Sequence, residues 1–111
     1  MTNSRDKGKR GELEWAAYLR ALGFTDAKRG QQHKGGPESP DVTGVAGVHF
    51  EVKRVEALNL GSAIAQALKD CGANIPVVAH RRNRTPWQVT IPASRLLEFC
   101  KAIGNNYEAA H

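Results

Sequence analysis

Apolar residues recur along this chain with a period that changes several times, and each change marks an element. From Lys9 to Leu22 the period is helical. Trp15, Ala16, Tyr18, Leu19 and Leu22 share one broad stripe, and Gly23 stands where a helix-ending C′ residue is expected. Glu12, one turn ahead of Trp15 and Ala16, lies along the edge of that stripe, whereas Glu14 and Arg20 point elsewhere. A weakly extended stretch, Phe24 to Lys28, leads into a polar loop from Gly30 to Pro40 whose glycines and prolines exclude a regular element. Asp41 to Val45 then reads as a short strand, Ala46-Gly47 as a tight turn, and Val48 to Arg54 as a second strand. In that second strand Val48, Phe50 and Val52 share one face, and His49, Glu51 and Lys53 share the other. Asn59 or Ser62 can cap a helix running to about Cys71, with Ile64, Ala67, Leu68 and Cys71 on its buried side. Ile75 to Ala79 and Trp87 to Ile91 read as core strands joined by a basic hairpin, Arg81 to Arg84. A last helix, Ala93 to Ile103, is expected to bury Leu96, Leu97, Cys100 and Ile103. The order α-β-β-β-α-β-β-α predicts an α/β sandwich around a mixed sheet.

Composition narrows the class. The chain has 111 residues, 41% of them hydrophobic, which suits one domain with a modest core; residues 1–7 and 105–111 are expected to fray. Apolar runs of only a few residues exclude a membrane-spanning helix. The polar, basic stretch Met1 to Arg10 lacks the apolar region of a secretory signal. Cys71 and Cys100 are too few for a disulfide scaffold or a zinc cluster, and both read as buried thiols on apolar helix faces. The expected setting is the cytoplasm. A formal charge of +5 and a pI near 9.6 add the expectation of a polyanionic partner.

Candidate chemistry lies in Pro40-Asp41, nine intervening residues, and Glu51-Val52-Lys53. Hairpin pairing brings the Asp41 and Glu51 carboxylates to one end of the sheet, and the spacing of two puts Glu51 and Lys53 on one strand face. Two convergent carboxylates offer oxygen ligands to Mg²⁺ or Mn²⁺. Such a metal contacts a scissile phosphate and activates a water, and a neighbouring lysine can orient that water or take its proton.

Together these residues resemble the PD-(D/E)XK nuclease superfamily, and within it most nearly the archaeal and phage-type Holliday junction resolvases. The matching features are Lys9-Arg10-Gly11-Glu12 opening the first helix, Leu22-Gly23-Phe24 ending it, Pro40-Asp41, Glu51-Val52-Lys53, and Ile75-Pro76-Val77; they cover roughly residues 8–92. The resemblance implies a restriction-endonuclease-like fold and a single nuclease domain over residues 1–111. It implies a Mg²⁺-dependent endonuclease, with Mn²⁺ as a substitute, that resolves four-way DNA junctions in recombination and repair. It also implies a homodimer with one active site per strand cut and, for a phage protein, action in the host cytoplasm. Carried over by position, Asp41 and Glu51 match the metal carboxylates, Lys53 the catalytic lysine, and Glu12 the first-helix glutamate. The family often carries a serine-bearing loop before its metal aspartate; Ser39 is the counterpart by position, in a stretch that departs from the family pattern.

Basic residues flank this constellation. Arg5, Lys7, Lys9 and Arg10 lead into the first helix, and Lys28, Arg29 and Lys34 border the loop before Asp41. Lys9, Arg10, Lys28, Arg29 and Lys34 are the expected phosphate contacts, which set affinity without reading sequence. His33 and Gln66 read as solvated, and His49 as one pair too far from the metal end to act. Two rival readings are a VRR-type phage repair nuclease acting on flaps or nicked DNA, and a non-catalytic DNA-binding module with a nuclease fold.

Overall fold

The alternating stretch Val48–Arg54 forms β3, and the rest of the chain is arranged around it. The computed structural model describes residues 4–30 and 39–111, with side chains from residue 8 onward. Residues 31–38, and with them His33 and Lys34, lie outside the described residues, as do the side chains of Arg5 and Lys7. The elements follow the expected order: α1 (Ser4–Leu22), β1 (Lys28–Arg29), β2 (Val42–Thr43), then β3, α2 (Leu60–Asp70), β4 (Ile75–Arg81), β5 (Gln88–Thr90) and α3 (Leu96–Ala110). A 3-10 turn, Ala93–Arg95, leads into α3. The strands make one mixed sheet in the order β1-β2-β3-β4-β5, in which β3 and β4 are parallel and the other neighbours antiparallel. The α/β class is as expected.

Both faces of β3 are covered. Val48, Phe50 and Val52 join Trp15, Ala16 and Leu19 of α1 and Val77 and Ala79 of β4 in the main core, where Trp15 meets Phe50 edge-on and Trp87 at 5.0 Å. On the other face Ala63 and Ala67 of α2 pack on Val78. The connection from β3 through α2 to β4 therefore buries the face carrying His49 and Glu51, which alternation alone reads as an open one.

Local signals explain most boundaries. Gly23 N–H donates to the Arg20 carbonyl and Phe24 N–H to the Leu19 carbonyl, the paired bonds of a Schellman end, so α1 stops where Gly23 predicts. Asn59 caps α2 by accepting from Ser62 N–H at 3.0 Å.

Several expectations are corrected. Tyr18 and Leu22 on α1 and Leu68 on α2 are exposed. Residues 4–7 belong to α1 rather than to a frayed end, and β2 is shorter than the expected Asp41–Val45. The largest difference is in α3, which runs to Ala110 and packs through Phe99, Ala102 and Ile103. Leu96 and Cys100 are exposed, and Leu97 is 84% exposed.

The last turns of α3 are tied down by long-range contacts. Asn106 accepts from Ala46 N–H at 2.8 Å and donates to the Ala46 carbonyl at 3.0 Å, holding the turn that leads into β3. Tyr107 meets Phe24 edge-on, and His111 Nε2 donates to the Gly23 carbonyl at 2.9 Å. A chain ending at Gly104 is therefore expected to lose about 2 kcal/mol, or roughly 10 °C in melting temperature. Thermal unfolding followed by circular dichroism checks this; an unchanged midpoint would show that the segment contributes nothing.

Candidate active site

The short β2 is what delivers Asp41. Val42 pairs with Phe50, and the ladder continues one residue further through Asp41 N–H donating to the Phe50 carbonyl at 2.9 Å. There the main chain hands over to a side chain: Asp41 Oδ2 accepts the Val52 N–H at 2.8 Å. The carboxyl is thus pinned to the middle residue of Glu51-Val52-Lys53. From the opposite side Gly30 N–H donates to the Asp41 carbonyl at 2.8 Å. A Cβ at Gly30 would collide with the Pro40 carbonyl oxygen, so this approach requires glycine.

Glu12 arrives by a similar close contact. A Cβ at Gly11 would lie 2.7 Å from Cβ of Arg54, so the bare glycine lets α1 seat on the end of β3. Its neighbour Glu12 is consequently buried, with Oε1 accepting from Arg29 Nε at 2.7 Å. Glu51 is buried on β3 and Lys53 is half-buried two residues on.

Electrostatics shows how close these groups lie. The Asp41 carboxyl is pushed up from an ordinary 3.8 to about 7, mainly by burial. The Val52 hydrogen bond opposes the rise, the charges of Glu51 and Glu12 add to it, and Lys53 partly offsets it. One carboxyl therefore feels all three of the other residues singled out in the sequence. Among the described residues no set of three His, Cys, Asp or Glu side chains is spaced to hold an ion. Asp41 and Glu51 remain a two-carboxylate donor set, which suits Mg²⁺, a cation that keeps several waters and takes further oxygens from phosphate. A divalent cation would relieve the part of this rise that comes from the neighbouring charges of Glu51 and Glu12, which is smaller than the part due to burial.

Two histidines beside the site went unassigned in the sequence. His49 is 1% exposed, and its Nε2 lies 3.1 Å from Glu51 Oε1. His80 is the β4 partner of Lys53; burial lowers its pKa, and its Nε2 lies 2.9 Å from Thr90 Oγ1. Alternation places His49 on the Glu51 face, but its contact depends on side-chain reach along the strand. Ser39 is half-buried two residues before Asp41. Gln66 is exposed, as expected, and donates to Asp70 Oδ2 at 2.5 Å.

The cations divide into two groups. Lys9, Arg10 and Lys28 are exposed, and Arg10 lines a cleft of about 410 Å³ with Glu14, Arg54, Val55, Glu56 and Asn83. Others are engaged within the chain. Arg29 holds Glu12, and Glu14 takes Arg81 at 2.5 Å and Arg54 at 3.4 Å. Comparison with family models, curated proteins and solved structures finds no match for this chain.

The raised Asp41 value sets a pH dependence of stability. Between about pH 4 and 7 the folded chain keeps a proton that the unfolded chain has released, so stability falls as pH rises through that window and levels off above it. Asp41→Asn preserves an acceptor for Val52 N–H and removes the charge. The variant is expected to melt higher than the parent at pH 8 and close to it at pH 4. Equal midpoints at both pH values would contradict a strained carboxylate at this position.

Proposed function

We propose that this chain is a Mg²⁺-dependent, structure-selective endodeoxyribonuclease of the PD-(D/E)XK type, with four-way DNA junctions as its substrate. The observation that carries the reading is the gathering of Glu12, Glu51 and Lys53 about the Asp41 carboxyl, which is bonded to Val52 N–H at the end of a hairpin paired through Val42 and Phe50. Pro40-Asp41 and Glu51-Val52-Lys53 supply the residue types that phosphodiester hydrolysis needs, and the α/β sheet with flanking helices is compatible with that superfamily.

In this reading Asp41 and Glu51 hold the metal, and Mn²⁺ can replace Mg²⁺. A bound cation supplies Lewis-acid stabilisation of the phosphate and lowers the pKa of a coordinated water. Lys53, two residues from Glu51 on the same face, orients the attacking water or accepts its proton. Glu12 completes the acidic cluster, directly or through water, once Arg29 yields it. Lys9, Arg10 and Lys28 hold the DNA backbone, and Arg29 joins them if it turns from Glu12 to phosphate. Cutting two strands symmetrically requires two such sites at fixed separation, so the active species is a homodimer.

Asp41→Asn and Glu51→Gln are expected to reduce cleavage of a synthetic four-way junction by several orders of magnitude while leaving junction binding in EDTA nearly unchanged. Mg²⁺ should raise the melting temperature of the parent at pH 8 and leave Asp41→Asn where it was. Turnover at the parental rate by either variant overturns the metal assignment. Faster cutting of a flap or a linear duplex than of the junction overturns the substrate assignment.

Backbone holding has its own signature. With a cleavage-dead variant, Lys28→Ala is expected to reduce the slope of log affinity against log salt by about one, equally for every arm sequence. An unchanged slope, or an effect confined to one arm sequence, removes Lys28 from the phosphate contacts.

A further inference from the structure

The imidazole of His49 is an unusual choice for its position. It lies on β3 beside Pro76 of β4, on the face where Ala63, Ala67 and Val78 form a small apolar cluster, and it is 1% exposed. Burying an imidazole in such surroundings costs free energy that an aliphatic side chain would not. A polar group survives there only with a partner, and the partner the structure shows is Glu51, whose Oε1 is 3.1 Å from His49 Nε2.

The sequence places this pair two residues apart on one strand, so both side chains emerge from the same face and the imidazole extends along the strand toward the next carboxylate. An ionised Glu51 can only accept, so in the metal-binding form Nε2 carries the proton and donates. That bond occupies Oε1 and leaves Oε2 without a bond to the imidazole. Glu51 is itself buried, and without a donor its carboxylate would be poorly compensated in the empty site.

We infer that His49 is a positioning residue for the metal site, a buried donor that fixes the Glu51 carboxylate so that one oxygen is presented to a divalent cation. This rests on the nuclease reading above and assigns His49 no contact with substrate. Partners of this kind orient metal-ligating carboxylates, and their loss typically weakens metal binding or activity by about 10- to 100-fold.

Three variants test it in the full-length chain. His49→Phe keeps an aromatic ring and removes the donor, His49→Leu removes the donor with a smaller side chain, and His49→Gln restores an amide donor near the place of Nε2. Mn²⁺ affinity is measured by calorimetry without DNA, alongside thermal midpoints and the Mg²⁺ concentration that gives half-maximal cleavage. The expected result is Mn²⁺ affinity roughly 10- to 100-fold weaker in His49→Phe and His49→Leu, at a thermal midpoint no lower than that of the parent. His49→Gln should recover most of the loss. Cleavage by the apolar variants should need more Mg²⁺ yet approach the parental rate at saturation. Parental Mn²⁺ affinity in a folded His49→Phe or His49→Leu overturns the inference, as does a folded His49→Gln as weak as both. If neither apolar variant folds, the imidazole is needed for the fold and the inference is wrong. A parent chain that neither binds Mn²⁺ nor cuts a junction overturns the nuclease reading instead.

Discussion

The hydrogen bond from Val52 N–H to the Asp41 carboxyl is the contact on which the site depends. A sheet edge normally satisfies its amides with another strand, but β2 pairs with β3 at Val42 and goes no further toward Val52 than the Asp41 amide. The aspartate side chain then stands in for a backbone carbonyl. This substitution has two consequences. The Val52 amide is satisfied without a longer β2. The carboxyl, spent partly on a structural bond, is also held in register with Glu51 and Lys53, one on each side of the residue it binds.

Holding it there has a cost that stability alone would not select. Burial, Glu51 and Glu12 all disfavour the ionised form of Asp41, and the backbone donor and Lys53 offset only part of that. Arg29 on Glu12 and His49 beside Glu51 are the local compensations, one for each of the other acids. In the metal-dependent reading proposed above, a bound cation would complete this balance, and the cost to the empty protein would be a trade of stability for activity.

Much of the fold was legible because it rests on local chemistry. Gly23 ends α1, Asn59 starts α2, and the alternation of Val48 to Arg54 gives β3 its limits. The convergence of Glu12, Asp41, Glu51 and Lys53 was legible for the same reason: a fixed spacing of two, a hairpin, and a helix edge. What escaped depends on partners distant in sequence. In α3, Leu96-Leu97-Glu98-Phe99-Cys100 allows two apolar stripes, and the burying one is selected by the sheet it meets, through Phe99, Ala102 and Ile103. Asn106 and His111 look like a polar tail until Ala46 and Gly23, 60 and 88 residues away, are found under them. The covering of the His49 face by α2 is likewise a tertiary fact, since alternation reports which residues share a face and not what lies above it.

The same distinction changes how the basic charge is to be read. Counting Lys and Arg along the chain treats every cation as available to a polyanion, yet Arg29, Arg54 and Arg81 are each committed to a glutamate within the fold. Among the described residues no carboxylate pairs with Lys9, Arg10 or Lys28, and all three are exposed. Their long-range field acts in full, whereas a paired arginine contributes little until its carboxylate finds another cation. Arg29 is the residue where the two cases meet. It is paired with Glu12; in the nuclease reading proposed above, a divalent ion that took Glu12 as a ligand would release one guanidinium for a phosphate. On that reading metal and polyanion would favour the same rearrangement of one ion pair, which would couple their binding.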